Sequence, residues 1–114
     1  MKARSPLLGV PPYQVEQALK NLGANLRTAR LRRNLTAEEV AQKIGTSRFT
    51  VADAEKGKPS TGVAVYAALL WAYGLIDRLT EIADPGKDEE GMTLALARDP
   101  ARARHSRGKL SNEF

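Results

Sequence analysis

Gly45 divides the segment LTAEEVAQKIGTSRFTVADAEKG into two amphipathic stretches, each about two helical turns long. At the start of the first, Thr36 and Glu39 stand three residues apart. That is the spacing of a capping box, in which the hydroxyl takes a free backbone N–H and the carboxylate reaches back. Val40, Ala41 and Ile44 form its inward face, and Gly45 stops it. Thr46 or Ser47 caps the second stretch, Val51 and Ala54 point inward, and Gly57 ends it. Arg48, Phe49, Thr50 and Asp53 then share the outward face, and none of them is core filling. Whatever else the chain does, it must pack around two short helices hinged at a glycine.

The flanking segments continue the helical theme. From Tyr13, apolar residues fall at Val15, Leu19, Leu22, Leu26 and Ala29, the period of one buried helical face. Gly23 interrupts that face and predicts a bend or break. Asn34 ends the segment, since asparagine tolerates the left-handed conformation. After the turn KGKPST, Ser60 or Thr61 is expected to cap a fourth helix running to about Tyr73, with Gly74 closing it. A fifth, over residues 75–83, ends before Asp84-Pro85-Gly86. Residues 13–84 thus read as a compact, all-α, five-helix domain. Pro6, Gly9, Pro11 and Pro12 make residues 1–12 a flexible arm. Residues 85–114 read as a flexible basic tail in which GMTLALAR forms at most a short helix.

Composition narrows the class of function. At 114 residues there is room for one small domain and tails, and there is no cysteine to supply a disulfide or a thiolate site. No apolar run spans a bilayer and the N-terminus is too short in apolar residues for a signal peptide, so a cytoplasmic protein without a membrane partner is expected. The single histidine, His105, lies in the tail, and no carboxylates or phosphate-cradling glycine loop stand in a catalytic context. Neither an enzyme nor a cofactor or metal is implied. The net charge is +5. Lys20, Arg27, Arg30, Arg32 and Arg33 follow one another without an acid between them. A second basic run covers residues 98–109. Two such runs in a small chain favour a polyanion partner, most often nucleic acid.

Helix, glycine-containing turn, helix is the helix-turn-helix arrangement. The first helix meets a phosphate with its N-terminus, and the second offers its first side chains to base edges in the major groove. The stretch LRTARLRRNLTAEEVAQKIGTSRFTVADAEKGKPS resembles the Cro/repressor-type helix-turn-helix of the XRE family, with likeness over about residues 22–83. The resemblance implies base reading by Ser47, Arg48, Phe49 and Asp53. It implies backbone contacts from Thr36, Ala37, Thr46, Thr50, Lys56, Lys58 and Ser60. Arg30 and Glu55 match a pair that forms a buried salt bridge between the first and third helices. The chain departs from the family at Ala37, where glutamine is frequent, and at Ala54, where a larger apolar residue is usual. Arg48 suits bidentate bonds to guanine, Phe49 a thymine methyl, and Arg48 contacting phosphate alone is the alternative. Asp53 either accepts from a cytosine amino group or repels phosphate.

The segment GVAVYAALLWAYGLIDRLTEI holds more apolar surface than so small a core needs. Tyr66, Leu70, Trp71, Tyr73, Leu75 and Leu79, with Phe114 at the C-terminus, are therefore expected at a dimer or partner interface. A homodimer on an inverted-repeat operator in double-stranded DNA follows, because a two-fold axis sets two reading helices one turn apart. PPYQVEQALKNLGANLRTARLRRNLT, AEKGKPSTGVAVYAALLWAYGL and ADPGKDEEG further resemble the HipB-like antitoxins that accompany HipA-like kinase toxins. That resemblance implies a bacterial autorepressor, located at the nucleoid when bound to DNA, that also holds a kinase toxin. Residues 92–114 would be the partner-binding segment, or else a solubilising tail. A stand-alone or prophage-type repressor, and a protein-interaction module on the same fold, are the alternatives.

Overall fold

Pro12 stands at the N-cap of the longest helix, and its fixed φ lets the chain enter a helix where no donor is needed. The computed structural model describes residues 5–98. Among them are seven α-helices and one 3-10 turn, with no strand. The all-helical class expected from the sequence is the one found. The chain divides between Leu79 and Thr80 into two units.

In the first unit, α1 (Pro6–Gly9) is one turn long and α2 (Tyr13–Arg32) runs for 20 residues. The pair α3 (Ala37–Ile44) and α4 (Arg48–Glu55) follows, then α5 (Val63–Ala72) and α6 (Ile76–Thr80), whose last residue falls in the second unit. The core is small and drawn from α2 to α5: Leu26, Ala29, Val40, Ala41, Val51, Ala54, Tyr66, Leu69 and, just past α5, Tyr73. Leu26, Val40, Val51 and Leu69 are at most 2% exposed, and burying each contributes about 1.5–3 kcal/mol.

Several local expectations are corrected. α2 runs unbroken through Gly23, which is buried because another backbone lies against it. Pro6 starts α1 inside the segment expected as an arm; proline at the first helical position is pre-organised for a helix rather than opposed to it. α5 begins at Val63 with Gly62 at its N-cap, because Thr61 N–H bonds to the Lys58 carbonyl and keeps residues 58–61 in a turn. α6 stops at Thr80, short of the expected 83; residues 81–83 form a turn in which Ala83 takes a positive φ ahead of Pro85.

The second unit lies within the segments expected as helix end and flexible tail. A 3-10 turn (Pro85–Lys87) is capped by Asp84, whose carboxylate accepts from Gly86 N–H at 2.9 Å. α7 (Glu89–Arg98) is capped by Asp88, which accepts from Gly91 N–H at 3.0 Å. Glu89 and Glu90 in its first turn and Arg98 in its last complement the helix dipole. These local signals outweigh the want of a core. Phe114, His105 and most of the second basic run lie outside the described residues.

Candidate nucleic-acid interface

The two helices expected to meet DNA are defined at both ends by local bonds. Glu39 N–H donates to Thr36 Oγ1 at 3.1 Å, and Thr36 N–H donates to Glu39 Oε1 at 2.9 Å. The Thr36 N–H, with the Thr36 hydroxyl after it, favours the ionised form and holds the Glu39 carboxyl below its ordinary range. At the other end of α3, Gly45 takes φ +81°, and the N–H groups of Gly45 and Thr46 both donate to the Ala41 carbonyl. A left-handed residue here is what turns the chain so sharply into α4. Ser47 caps α4, accepting from Thr50 N–H at 3.2 Å and sharing a 3.1 Å bond with the Thr50 hydroxyl. Both hydroxyls are thus engaged in starting the helix.

Beyond that cap, Arg48 and Phe49 stand exposed at the first turn of α4. The Arg48 guanidinium lies over the Phe49 ring, 5.0 Å from its centre, and the ring is 67% exposed. Asp53 stands one turn on from Phe49. Its carboxylate meets Lys58 Nζ at 3.7 Å. With Lys56 and Lys58 it lines a cleft of about 580 Å³ whose opposite wall is Leu8 to Pro11. Lys56, Lys58 and Ser60 are exposed in the turn after α4, and Thr46 is half-buried. Ala37 is half-buried against the core and offers no side-chain donor.

The inner side of α4 is held by a clamp on α2. Arg30 donates from Nε to Glu55 Oε2 at 2.7 Å, from Nη2 to Oε1 at 3.0 Å, and from Nη1 to the Leu35 carbonyl at 2.9 Å. The bond to Glu55 raises the Arg30 pKa against the opposing effect of burial. Below this pair, helix meets helix without side chains. A Cβ on Gly23 would sit 2.5 Å from the Glu55 carbonyl oxygen and 2.6 Å from that of Ala54. Gly57, with φ +70°, lies equally close to the Leu19 carbonyl. The last turn of α4 is thereby seated on α2 at backbone distance, which fixes where its first turn points.

Two contacts escaped the sequence. Arg33 donates to the Ala29 carbonyl and, 40 residues away in sequence, to the Tyr73 carbonyl, both at 2.9 Å. Its guanidinium also lies 5.6 Å from the centre of the Tyr73 ring. Lys43 lies 5.5 Å from the Trp71 ring centre. No local signal announces either partner. Much of the first basic run is accordingly engaged within the chain: Lys20 pairs with Glu16 at 3.0 Å on the surface, Arg30 with Glu55, and Arg33 with carbonyls. Arg27 and Arg32 form no ion pair with a described residue.

The expected interface set divides. Tyr66 and Tyr73 are 6% and 4% exposed and belong to the chain's own core, which corrects their placement at an interface. Burial raises the pKa of the Tyr73 phenol, and the Glu55 carboxylate adds to that rise. Leu70 and Leu75 pack half-buried against the core, and Leu79 is half-buried. Trp71 and Val63 are 56% and 72% exposed on α5, a helix without one charged side chain.

A family model described as a helix-turn-helix domain matches residues 21–81, which spans α3, the Gly45 turn and α4 together with most of α2 and all of α5 and α6. No curated protein and no solved structure matches the chain. With the match covering more than half of its length, the chain belongs to the helix-turn-helix domain family.

Proposed function

We propose that the protein is a sequence-specific transcriptional repressor that binds an inverted-repeat operator as a homodimer. The observation that carries this reading is the pose of α4. Its C-terminal turn is seated on α2, and its N-terminal turn carries a cation and an aromatic ring into solvent. In a helix that enters the major groove, those are the residues that reach base edges. Arg48 is the direct reader, its fork matching O6 and N7 of guanine. Lys56 and Lys58 hold phosphates, joined by Ser60, while Ser47, Thr46 and Thr50 shape the entry of α4 and place backbone donors nearby. Ala37 contributes through its backbone alone, beside the acidic Glu38, so α3 adds less than the turn after α4. Asp53 holds Lys58 in a surface ion pair that competes with phosphate; the alternative of a cytosine contact requires that pair to open.

Pairing of two copies is supported by α5, which is apolar all round yet leaves Val63 and Trp71 in solvent. A helix of that composition is ordinarily covered on every side. The narrower role, an antitoxin that holds a HipA-like kinase toxin, draws on the resemblance of residues 11–36, 54–75 and 83–91. The exposed Met92 and Leu94 of α7 suit a partner-binding segment.

The decisive experiment selects duplexes from a random pool with the full-length chain and measures binding by Arg48→Ala. One palindromic site should emerge, and the variant should lose about 1–3 kcal/mol with relaxed preference at one base pair per half-site. Binding that is strongly salt dependent but indifferent to sequence would leave only phosphate neutralisation and reject the repressor. Sedimentation of a monomer with and without DNA would reject the dimer, and a kinase-like protein co-purifying from the native host would establish the antitoxin role.

A further inference from the structure

Phe49 is the side chain on α4 that its own fold least explains. It is 67% exposed, stands outside the core, and carries the charged Arg48 guanidinium over its ring. Leaving a phenyl ring in water at the tip of a helix forgoes the burial that ordinarily stabilises it. An exposed guanidinium returns only about 0.5–1 kcal/mol. The ring therefore lacks an apolar partner, and in the major groove the apolar group on offer is the C5-methyl of a pyrimidine.

The stacking decides where that methyl must stand. A guanidinium that bonds O6 and N7 of guanine lies in the plane of that base. A ring stacked on it occupies the next layer, and base pairs are themselves stacked in layers about 3.4 Å apart. With the Arg48 guanidinium over the ring, 5.0 Å from its centre, the ring stands out of the guanine's layer and toward the neighbouring base pair. Arg48 thus has its position limited by Phe49, and Phe49 has its reach limited by Arg48.

We propose that Arg48 and Phe49 act as one reader of a two-base-pair step, a guanine and, directly beside it, a pair carrying a 5-methyl pyrimidine. The inference rests on the DNA-binding reading above and adds what the site asks of its DNA: a methyl group, whether from thymine or from 5-methylcytosine. Phe49 is a specificity residue by contact with the methyl and a positioning residue for the Arg48 fork.

The test uses the full-length chain and the duplexes that it selects. Replacing the thymine beside the conserved guanine with deoxyuracil removes one methyl and nothing else. Wild-type affinity should fall about fourfold, the weight of one buried methyl group, and 5-methylcytosine in a cytosine-substituted site should restore it. Phe49→Ala should bind thymine and deoxyuracil sites alike and lose part of its preference for the guanine. Phe49→Leu should keep some methyl dependence without the guanidinium stack. Phe49 is 67% exposed and not a core residue, so both variants should melt with the wild type, and Leu retains the test if Ala does not. Equal wild-type binding to thymine and deoxyuracil would overturn the inference, as would a methyl effect that persists in Phe49→Ala. A selected site with no methyl-bearing pair beside its guanine would do the same while leaving the repressor intact. If no preferred sequence emerges, the DNA reading itself falls and this inference with it.

Discussion

Gly23 and Glu55 meet backbone to backbone: a Cβ on the glycine would stand 2.5 Å from the Glu55 carbonyl oxygen. The glycine is thus part of what seats α4. Gly23→Ala should destabilise the protein by about 1–2 kcal/mol, because overpacking against two carbonyls outweighs the gain in helix propensity. Chemical denaturation measures this, and an alanine variant as stable as the wild type would show that α2 and α4 separate freely.

The Arg30–Glu55 pair lies on the same helix end, with side chains 12% and 8% exposed. Removing one partner leaves the other charge desolvated, so Glu55→Gln or Arg30→Met alone should cost about 3–5 kcal/mol. The double replacement Arg30→Met with Glu55→Leu should recover a good part of that stability but not the DNA affinity, since the pair sets the pose of α4. Recovery of both in parallel would make the pair dispensable for positioning.

Glu39 supplies a pH dependence with a definite sign. Its folded pKa is depressed by the bonds from Thr36, so the stabilisation from the capping box is complete above the ordinary value of 4.5. It is lost as pH falls from there through the lower folded value. Glu39→Gln keeps the reciprocal cap without the titration. In acid-side melting curves it should therefore remove the Glu39 share of the slope and no more, and a slope unchanged from wild type would refute the assignment.

Asp53 and Lys58 form an exposed pair at 3.7 Å on the face that Lys56 shares. Such pairs contribute little to stability, so Asp53→Asn should shift it by less than about 0.5 kcal/mol. It should also free Lys58 for phosphate and raise DNA affinity by up to about fivefold, the weight of one exposed ion pair. Fluorescence anisotropy against a salt series checks both the gain and its decline with ionic strength. A loss of affinity would instead make Asp53 a base reader.

Wherever neighbours in sequence decide the outcome, this chain is legible without its fold. The Thr36–Glu39 box, the stops at Gly45 and Gly57, a cap at Thr46 or Ser47 and the inward faces of α3 and α4 all depend on residues within about one helical turn, so spacing identifies them. The Gly23 contact, the Arg33 bonds to Tyr73 and the burial of Tyr66 and Tyr73 depend on elements brought together from distant parts of the chain. Gly23 looks like a helix breaker until Glu55 arrives beside it, and Arg33 looks like a DNA-facing charge until the end of α5 supplies a carbonyl. The same physics separates charges that face solvent from charges that tie helices together, because ion pairing follows distance in space. Local order placed α4; packing decided which of its neighbours are free to touch anything else.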